Sequence, residues 1–240
     1  MTEEWWLSTD DALALLEILN TPRETSERKL HLFAAWCCRR MEYLFFDPRQ
    51  QAAVDVLERY ADGFTDADDL VAAESALLDV DLDDPDRTPH RTPVQAELEW
   101  LADMVVLHAM EHEANGTGMR PLQWRTATVA NFVVRVGEEL DRYNSGGGAE
   151  RREREWLREA FHCLFGNPFR PVAFADSWRT ETAVALAAGI YEDRAFDRLP
   201  ILADALEEAG CDSADVLAHC RGLGPHARGC WVVDGVRGKS

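Results

Sequence analysis

The 240-residue sequence predicts an all-α fold, a multi-helix bundle of about nine or ten helices with no substantial sheet. Three observations lead to this prediction. Apolar residues recur at spacings of three and four along most of the chain, which is the spacing that lines one face of an α-helix. Residues that start or end helices, such as Asp47-Pro48 and Asn115-Gly116, bound these segments. No run alternates apolar and polar residues as a half-buried strand does.

The first part of the chain, residues 1–78, predicts an amino-terminal bundle of four short helices. Thr9 or Asp10 caps the first helix, which ends before Thr21-Pro22. The second covers residues 28–46, the third begins at Asp47-Pro48 and ends at Gly63, and the fourth runs from Thr65-Asp66 to about Leu78.

An acidic, proline-containing linker is predicted over residues 79–93. It continues a longer acidic stretch, because residues 62–86 carry ten acidic side chains and no basic one. Two interpretations remain open for this stretch: a solvated helix face followed by a linker, or a docking surface for a basic partner.

The remainder of the chain is predicted to form a central helical pair over 94–143 and a carboxy-terminal helical segment over 149–240. The predicted helices are 93–113, 123–142, 150–165, 180–193, 199–209 and 213–221. A glycine-rich connector separates the two parts at 144–148. Residues 230–236 fit a helix or a strand, since so short an apolar run shows no decisive period.

Composition excludes several classes of function. The formal net charge is −19, from 44 acidic and 25 basic residues, which argues against general binding to nucleic-acid backbones. No apolar run approaches the ~20 residues of a membrane span, and the first residues lack the basic, then apolar pattern of a signal peptide. We therefore expect a cytoplasmic protein with no membrane association, whose six cysteines are reduced.

His108, Glu111 and His112 form the first candidate metal site. The two histidines lie four residues apart on a predicted helix and so share a face, and Glu111 is a candidate general base, as in H-x-x-E-H metallopeptidases. Alternatively, His31 joins the two histidines, which is similar to the three-histidine site of DinB-like four-helix bundles. Solvated side chains near a helix end are the simpler interpretation.

Cys211, Cys220, His226 and Cys230 form the second candidate, because thiols and imidazoles are the ligands of structural zinc. Their spacings match no C-x-x-C knuckle, and a helix over 213–221 would separate Cys211 from Cys220 by ~12–15 Å. Cysteines packed in the core, with a hydrogen-bonded histidine, are the alternative. For the glycine-rich loop 222–229 and its flanking arginines two interpretations remain open: a site for an anion or an acidic partner, or a structured turn with ordinary surface arginines.

Two segments carry a resemblance to a known family. The first is Arg28-Lys-Leu-His-Leu-Phe-Ala-Ala-Trp-Cys-Cys-Arg-Arg40. The second begins at Phe165-Gly-Asn-Pro-Phe-Arg-Pro-Val172, continues through Leu202-Ala-Asp-Ala-Leu-Glu-Glu-Ala-Gly-Cys211 and ends with His219-Cys-Arg-Gly and Gly224-Pro-His-Ala-Arg-Gly-Cys-Trp231. Together they resemble the two ends of an uncharacterised paralogous family of planctomycete bacteria. The resemblance implies a helical bacterial protein and supplies no activity or catalytic residue.

The sequence contains no complete catalytic constellation, and no G-x-S-x-G elbow is present. We therefore predict a non-catalytic helical interaction or regulatory module with a protein partner, and an enzyme is the less favoured interpretation. A metal-dependent hydrolase or metal-binding bundle at His108, Glu111 and His112 is one alternative. A zinc-stabilised structural module at the carboxy-terminus is the other, and no other cofactor is expected.

Overall fold

The computed structural model describes residues 2–9, 11, 14–15, 26–78, 92–110, 122–143 and 146–239. Within these residues the fold is all-α, as the sequence predicts. The eleven α-helices of this part of the chain are α1 (Glu3–Ser8), α2 (Glu27–Arg40), α3 (Pro48–Ala61), α4 (Ala67–Leu78), α5 (Pro93–Met110), α6 (Leu122–Tyr143), α7 (Ala149–Phe165), α8 (Glu181–Asp193), α9 (Leu199–Glu208), α10 (Ala214–Arg221) and α11 (Trp231–Arg237). Short 3-10 turns lie at Glu42–Leu44, Asp176–Trp178 and Phe196–Arg198.

The chain divides into two compact units. The central unit comprises Asp10–Leu157, and the carboxy-terminal unit comprises Arg158–Ser240 together with Met1–Thr9. The predicted linker over 79–93 lies outside the described residues except for its last two positions, as does most of the predicted first helix.

The central unit is a helical bundle in which α5 packs along α6, and α2 packs on α3, α5 and α6. Local sequence signals set its helix boundaries. Asp47 and Gln50 form a reciprocal capping box around Pro48, which occupies the first turn, so the predicted start of this helix is confirmed. The helix predicted over 28–46 ends at Arg40, because the chain tightens into the 3-10 turn Glu42–Leu44 before reaching the cap.

The carboxy-terminal unit is built around α8, α9 and α11, with α8 packed on both of the others. Its amino-terminal contribution is α1, which the sequence did not predict. Thr2 caps this helix, and its Trp6 is completely buried, with the ring edge-on to Phe161 at 6.4 Å. The ambiguous 230–236 segment is a helix, α11, and buries Val232, Val233 and Val236.

Over the described part of the chain, no helix combines the length and the apolar character that a membrane crossing requires.

Candidate metal centre

Four side chains that can ligate a metal converge within the carboxy-terminal unit: Cys163, His219, His226 and Cys230. Cys163 lies in the last turn of α7, and His219 lies in the last turn of α10. His226 belongs to the loop that follows α10, and Cys230 is the residue that precedes α11. The donor set is therefore assembled from two helix ends, a loop and a helix start.

The donor atoms of these four residues all lie within 4.8 Å of one another. Cys163 Sγ is 3.5 Å from His226 Nδ1, and Cys230 Sγ is 3.2 Å from His219 Nε2. The two imidazole rings meet edge to face with 4.9 Å between their centroids. No other group of three or more histidine, cysteine or acidic side chains of metal-binding geometry occurs among the described residues.

The loop that carries His226 is held by hydrogen bonds from one arginine. Arg228 donates from Nε to the carbonyl of Tyr191 at 3.3 Å and from Nη2 to the carbonyl of Glu192 at 3.2 Å. These carbonyls lie at the end of α8, where a helix leaves its acceptors unpaired and where a cation is favoured. Gly229, at φ +87°, then turns the chain into Cys230 through a backbone conformation that glycine adopts readily.

Both sulfurs of the centre are shielded from solvent, whereas both imidazoles are half-buried. Burial opposes ionisation of Cys230, but hydrogen bonding with Cys163 and the neighbouring His219 and His226 hold the pKa of its thiol well below the usual range. Burial also disfavours a charged His226, yet contact with Cys230 raises the pKa of this imidazole. Cys230 is therefore biased towards the thiolate, the form that binds metals.

The remaining ring nitrogen of His226 has its own partner. Nε2 lies 3.4 Å from the carbonyl of Gly222, to which it donates when it carries the proton. In this tautomer the lone pair of the ring is on Nδ1, which faces Cys163 Sγ at 3.5 Å. Metal-bound histidines characteristically use their second nitrogen in this way, because the hydrogen bond fixes both the tautomer and the ring orientation.

Of the four residues in the predicted carboxy-terminal zinc site, the structure brings His226 and Cys230 together and leaves Cys211 and Cys220 outside the group. Burial raises the pKa of both of the latter thiols. Cys220 is completely buried in the core, and Cys211 is nearly so. Their burial is consistent with the alternative interpretation, cysteines packed in the core.

Cys163 and His219 are the two donors that the sequence reasoning missed. Each belongs to a His-Cys pair in the sequence, His162-Cys163 or His219-Cys220. Neighbouring residues on a helix point ~100° apart, so only one member of each pair reaches the centre. His162 instead donates from Nε2 to the carbonyl of Trp6 at 3.1 Å. The paired dipeptides were the available signal, but sequence spacing does not identify which member faces the site.

The other predicted metal site falls partly outside the described residues, which include neither Glu111 nor His112. His31 and His108 are described, and each places Nδ1 against the carbonyl four residues earlier in its own helix, at 2.9 and 2.8 Å. Their rings pack against Tyr60 and Phe132, respectively. That His31, His108 and His112 share a metal therefore stays a prediction. Among the described residues, His31 and His108 belong to no group of metal-binding geometry.

The charged segments noted in the sequence have structural partners where they are described. Arg221 bridges Asp204 and Glu207, and Arg237 lies over the ring of Tyr191. In the acidic stretch, Asp62 pairs with Arg28, and Asp66 accepts hydrogen bonds from the first backbone amides of α4. These side chains contribute to the fold, and their use by an anion or a basic partner stays a prediction.

The chain matches no protein-family model, no curated protein and no solved structure. The resemblance to a planctomycete family therefore stays a prediction.

Proposed function

We propose that the carboxy-terminal unit is a zinc-stabilised helical module in which Cys163, His219, His226 and Cys230 bind one Zn²⁺. The observation that carries this proposal is the convergence of four donor atoms within 4.8 Å. Two thiols and two imidazoles are a common ligand set of structural zinc.

The distances between donors support tetrahedral coordination. Zinc binds sulfur at ~2.3 Å and histidine nitrogen at ~2.0–2.1 Å, so a regular tetrahedron has S–N edges of about 3.6 Å and an S–S edge of about 3.8 Å. The two measured S–N distances, 3.5 and 3.2 Å, lie close to that edge length. These two donor pairs therefore need little adjustment to accept the ion, and every other pair already lies within 4.8 Å.

The number of ligands favours a structural metal over a catalytic one. A catalytic zinc keeps a coordination position for water or substrate, whereas four protein ligands close a tetrahedral site. The two sulfurs are also buried, at 2% exposure for Cys163 and 0% for Cys230. A closed site with buried sulfurs supports a non-catalytic module, and we retain a protein partner as part of this proposal.

Thiolate ligands also fit the expected cellular setting. A Cys2His2 site needs both cysteines reduced, and all six cysteines of the described chain are free. Reduced thiols persist in the cytoplasm, which is the location we propose.

The direct test is metal content. We expect one zinc per chain, by elemental analysis, in protein equilibrated with buffered zinc and then desalted. Cys163→Ala and His219→Ala should each lose most of that zinc. Cys220→Ala is the matched control, because it removes another buried thiol beside His219 and should retain full occupancy.

A spectroscopic measurement separates ligand loss from misfolding. Cobalt(II) in a tetrahedral site with thiolate ligands gives intense visible absorption and a sulfur-to-metal charge-transfer band. We expect both in the wild-type protein and in Cys220→Ala. Wild-type protein that takes up neither zinc nor cobalt overturns the proposal, and so does full zinc content in folded Cys163→Ala.

A further inference from the structure

We propose that the centre is also a redox-sensitive switch: hydrogen peroxide joins Cys163 and Cys230 in a disulfide and expels the zinc. This inference rests on the proposed zinc site and adds its regulation. It arises from the composition of the donor group, whose two sulfurs lie within 4.8 Å of each other and come from distant parts of the sequence.

The pairing of these two cysteines follows from their position. Cys163 and Cys230 are the two thiols of the donor group, and the other four cysteines lie outside it. A thiol oxidised at this centre therefore has one sulfur partner within the group. Cys211 and Cys220 are instead packed in the core, at 4% and 0% exposure, and neither sulfur belongs to the donor group.

An oxidant can approach from the side of the loop. Gly222, Leu223 and Gly224 are exposed, and Leu223 is at 104% of its reference exposure. His219 and His226, the two imidazoles of the centre, are only half-buried. Hydrogen peroxide is little larger than water, so the partly exposed imidazole side of the centre is the side from which we expect it to enter.

The chemistry balances with hydrogen peroxide as the oxidant. One thiolate sulfur attacks an oxygen atom, the O–O bond breaks, and the sulfur becomes a sulfenic acid while the departing hydroxide takes up a proton to form water. The second thiolate then attacks the sulfenic sulfur, the S–O bond breaks, the S–S bond forms, and the second hydroxide takes up a proton. Two thiolates, one peroxide and two protons thus give one disulfide and two waters.

Loss of zinc follows from the change in its ligands. Disulfide sulfurs carry no negative charge, and a covalent S–S bond is much shorter than the ~3.8 Å edge of the zinc tetrahedron. Only His219 and His226 then remain as ligands, which is too few to retain the ion. The two imidazoles and the loop between them lose the constraint of the metal, whereas Cys163 and Cys230 stay linked.

The test begins with zinc-loaded protein titrated with hydrogen peroxide, with released zinc followed by a chromogenic chelator. We expect one zinc released per peroxide consumed, a Cys163–Cys230 disulfide in the peptide map, and recovery of zinc binding after reduction. Cys220→Ala should behave like the wild type. Cys163→His keeps four zinc ligands but only one thiol, and we expect its zinc release to slow at least tenfold.

The outcomes distinguish this inference from the function on which it rests. Protein that holds no zinc before peroxide is added overturns both. Protein that holds zinc and retains it after its free thiols have been oxidised overturns the switch alone. Zinc release accompanied by a different disulfide, such as Cys211–Cys220, also overturns the switch alone, and this mapping remains decisive if Cys163→His does not fold.

Discussion

Replacing Gly235 with alanine should destabilise the carboxy-terminal unit, although alanine is the better helix former. Gly235 lies within α11, the helix that begins directly after the proposed ligand Cys230. In a helix interior, replacing glycine with alanine normally stabilises the fold by about 1 kcal/mol. Here a Cβ would lie 2.1 Å from Cε2 of Phe174 and within 2.5 Å of two further ring atoms. Carbon atoms in contact are normally ~3.5–4.0 Å apart, so the ring must move by more than 1 Å, as a rough estimate.

The expected size of the effect follows from what the Phe174 ring would lose. It packs edge-on against Trp178 at 6.1 Å and against Trp231 at 5.9 Å, and each aromatic pair contributes ~0.5–1.5 kcal/mol. Overpacking adds ~1–3 kcal/mol. The two aromatic pairs and the overpacking together amount to roughly 2–6 kcal/mol, so after the ~1 kcal/mol gain in helix propensity is subtracted we expect a net loss of about 1–5 kcal/mol in the free energy of unfolding.

Urea unfolding of the zinc-loaded protein, followed by tryptophan fluorescence, measures this change. Gly189→Ala is the matched control, because Gly189 is also within a helix, α8, and its Cβ would meet no atom within 4 Å. We expect this control to stabilise by ~0.5–1 kcal/mol. Phe174→Leu should relieve part of the cost of Gly235→Ala. A Gly235→Ala protein as stable as the Gly189→Ala control would refute the reasoning.

Three further predictions concern stability. Asp141 accepts hydrogen bonds from the backbone amides of Ala149 and, less strongly, Glu150, and these bonds lower the pKa of its carboxyl group. The stabilisation by this carboxylate is present above the unfolded-state pKa of ~3.9 and is lost as the pH falls through the lower folded-state pKa. Urea unfolding should therefore show a difference in stability between the wild type and Asp141→Asn at pH 7 but not near pH 2. Arg40→Met should lower the free energy of unfolding by ~1–3 kcal/mol, because it leaves the buried Glu153 carboxylate without its ion-pair partner. In a double-mutant cycle, the variant that also carries Glu153→Met should recover most of this loss. Trp6→Ala should lose ~3–5 kcal/mol in the same assay, because it empties a completely buried site, and a loss below 1 kcal/mol would contradict the observed burial.

Most of the fold could be predicted from the sequence because its signals are local. The capping box at Asp47 and Gln50 and the caps Thr180 and Ser213 all lie within a few residues of the helices they start. Helix α1 could not be predicted in this way. It is only six residues long, and such a helix depends on tertiary burial, here of Trp6, rather than on its own propensity.

The candidate site was predictable only in its ligand types and in two of its four residues. His226 and Cys230 lie close together in the sequence, so spacing grouped them. Cys163 lies on a helix more than fifty residues earlier, and no spacing rule links it to them. The structure uses His219 and not its neighbour Cys220, and this choice depends on the rotation of α10, which packing in the core determines.

The same long separation determines what the proposed zinc ion does for the fold. By joining Cys163 to His219, it closes a loop of more than fifty residues that contains α8 and α9. If the loop-closure relation for disulfides is applied, a cross-link of this length contributes about 4 kcal/mol, roughly twice the value for a C-x-x-C loop. Zinc should therefore stabilise the whole carboxy-terminal unit.

Hydrogen exchange with and without zinc tests this consequence. We expect chelation to accelerate amide exchange throughout α8 and α9, neither of which contributes a ligand, as well as in the loop 222–230. Cys220→Ala, which retains the proposed ligands, should respond to chelation in the same way. If faster exchange is confined to the loop 222–230, the ion orders only its nearest segment and does not stabilise α8 and α9 by closing the long loop.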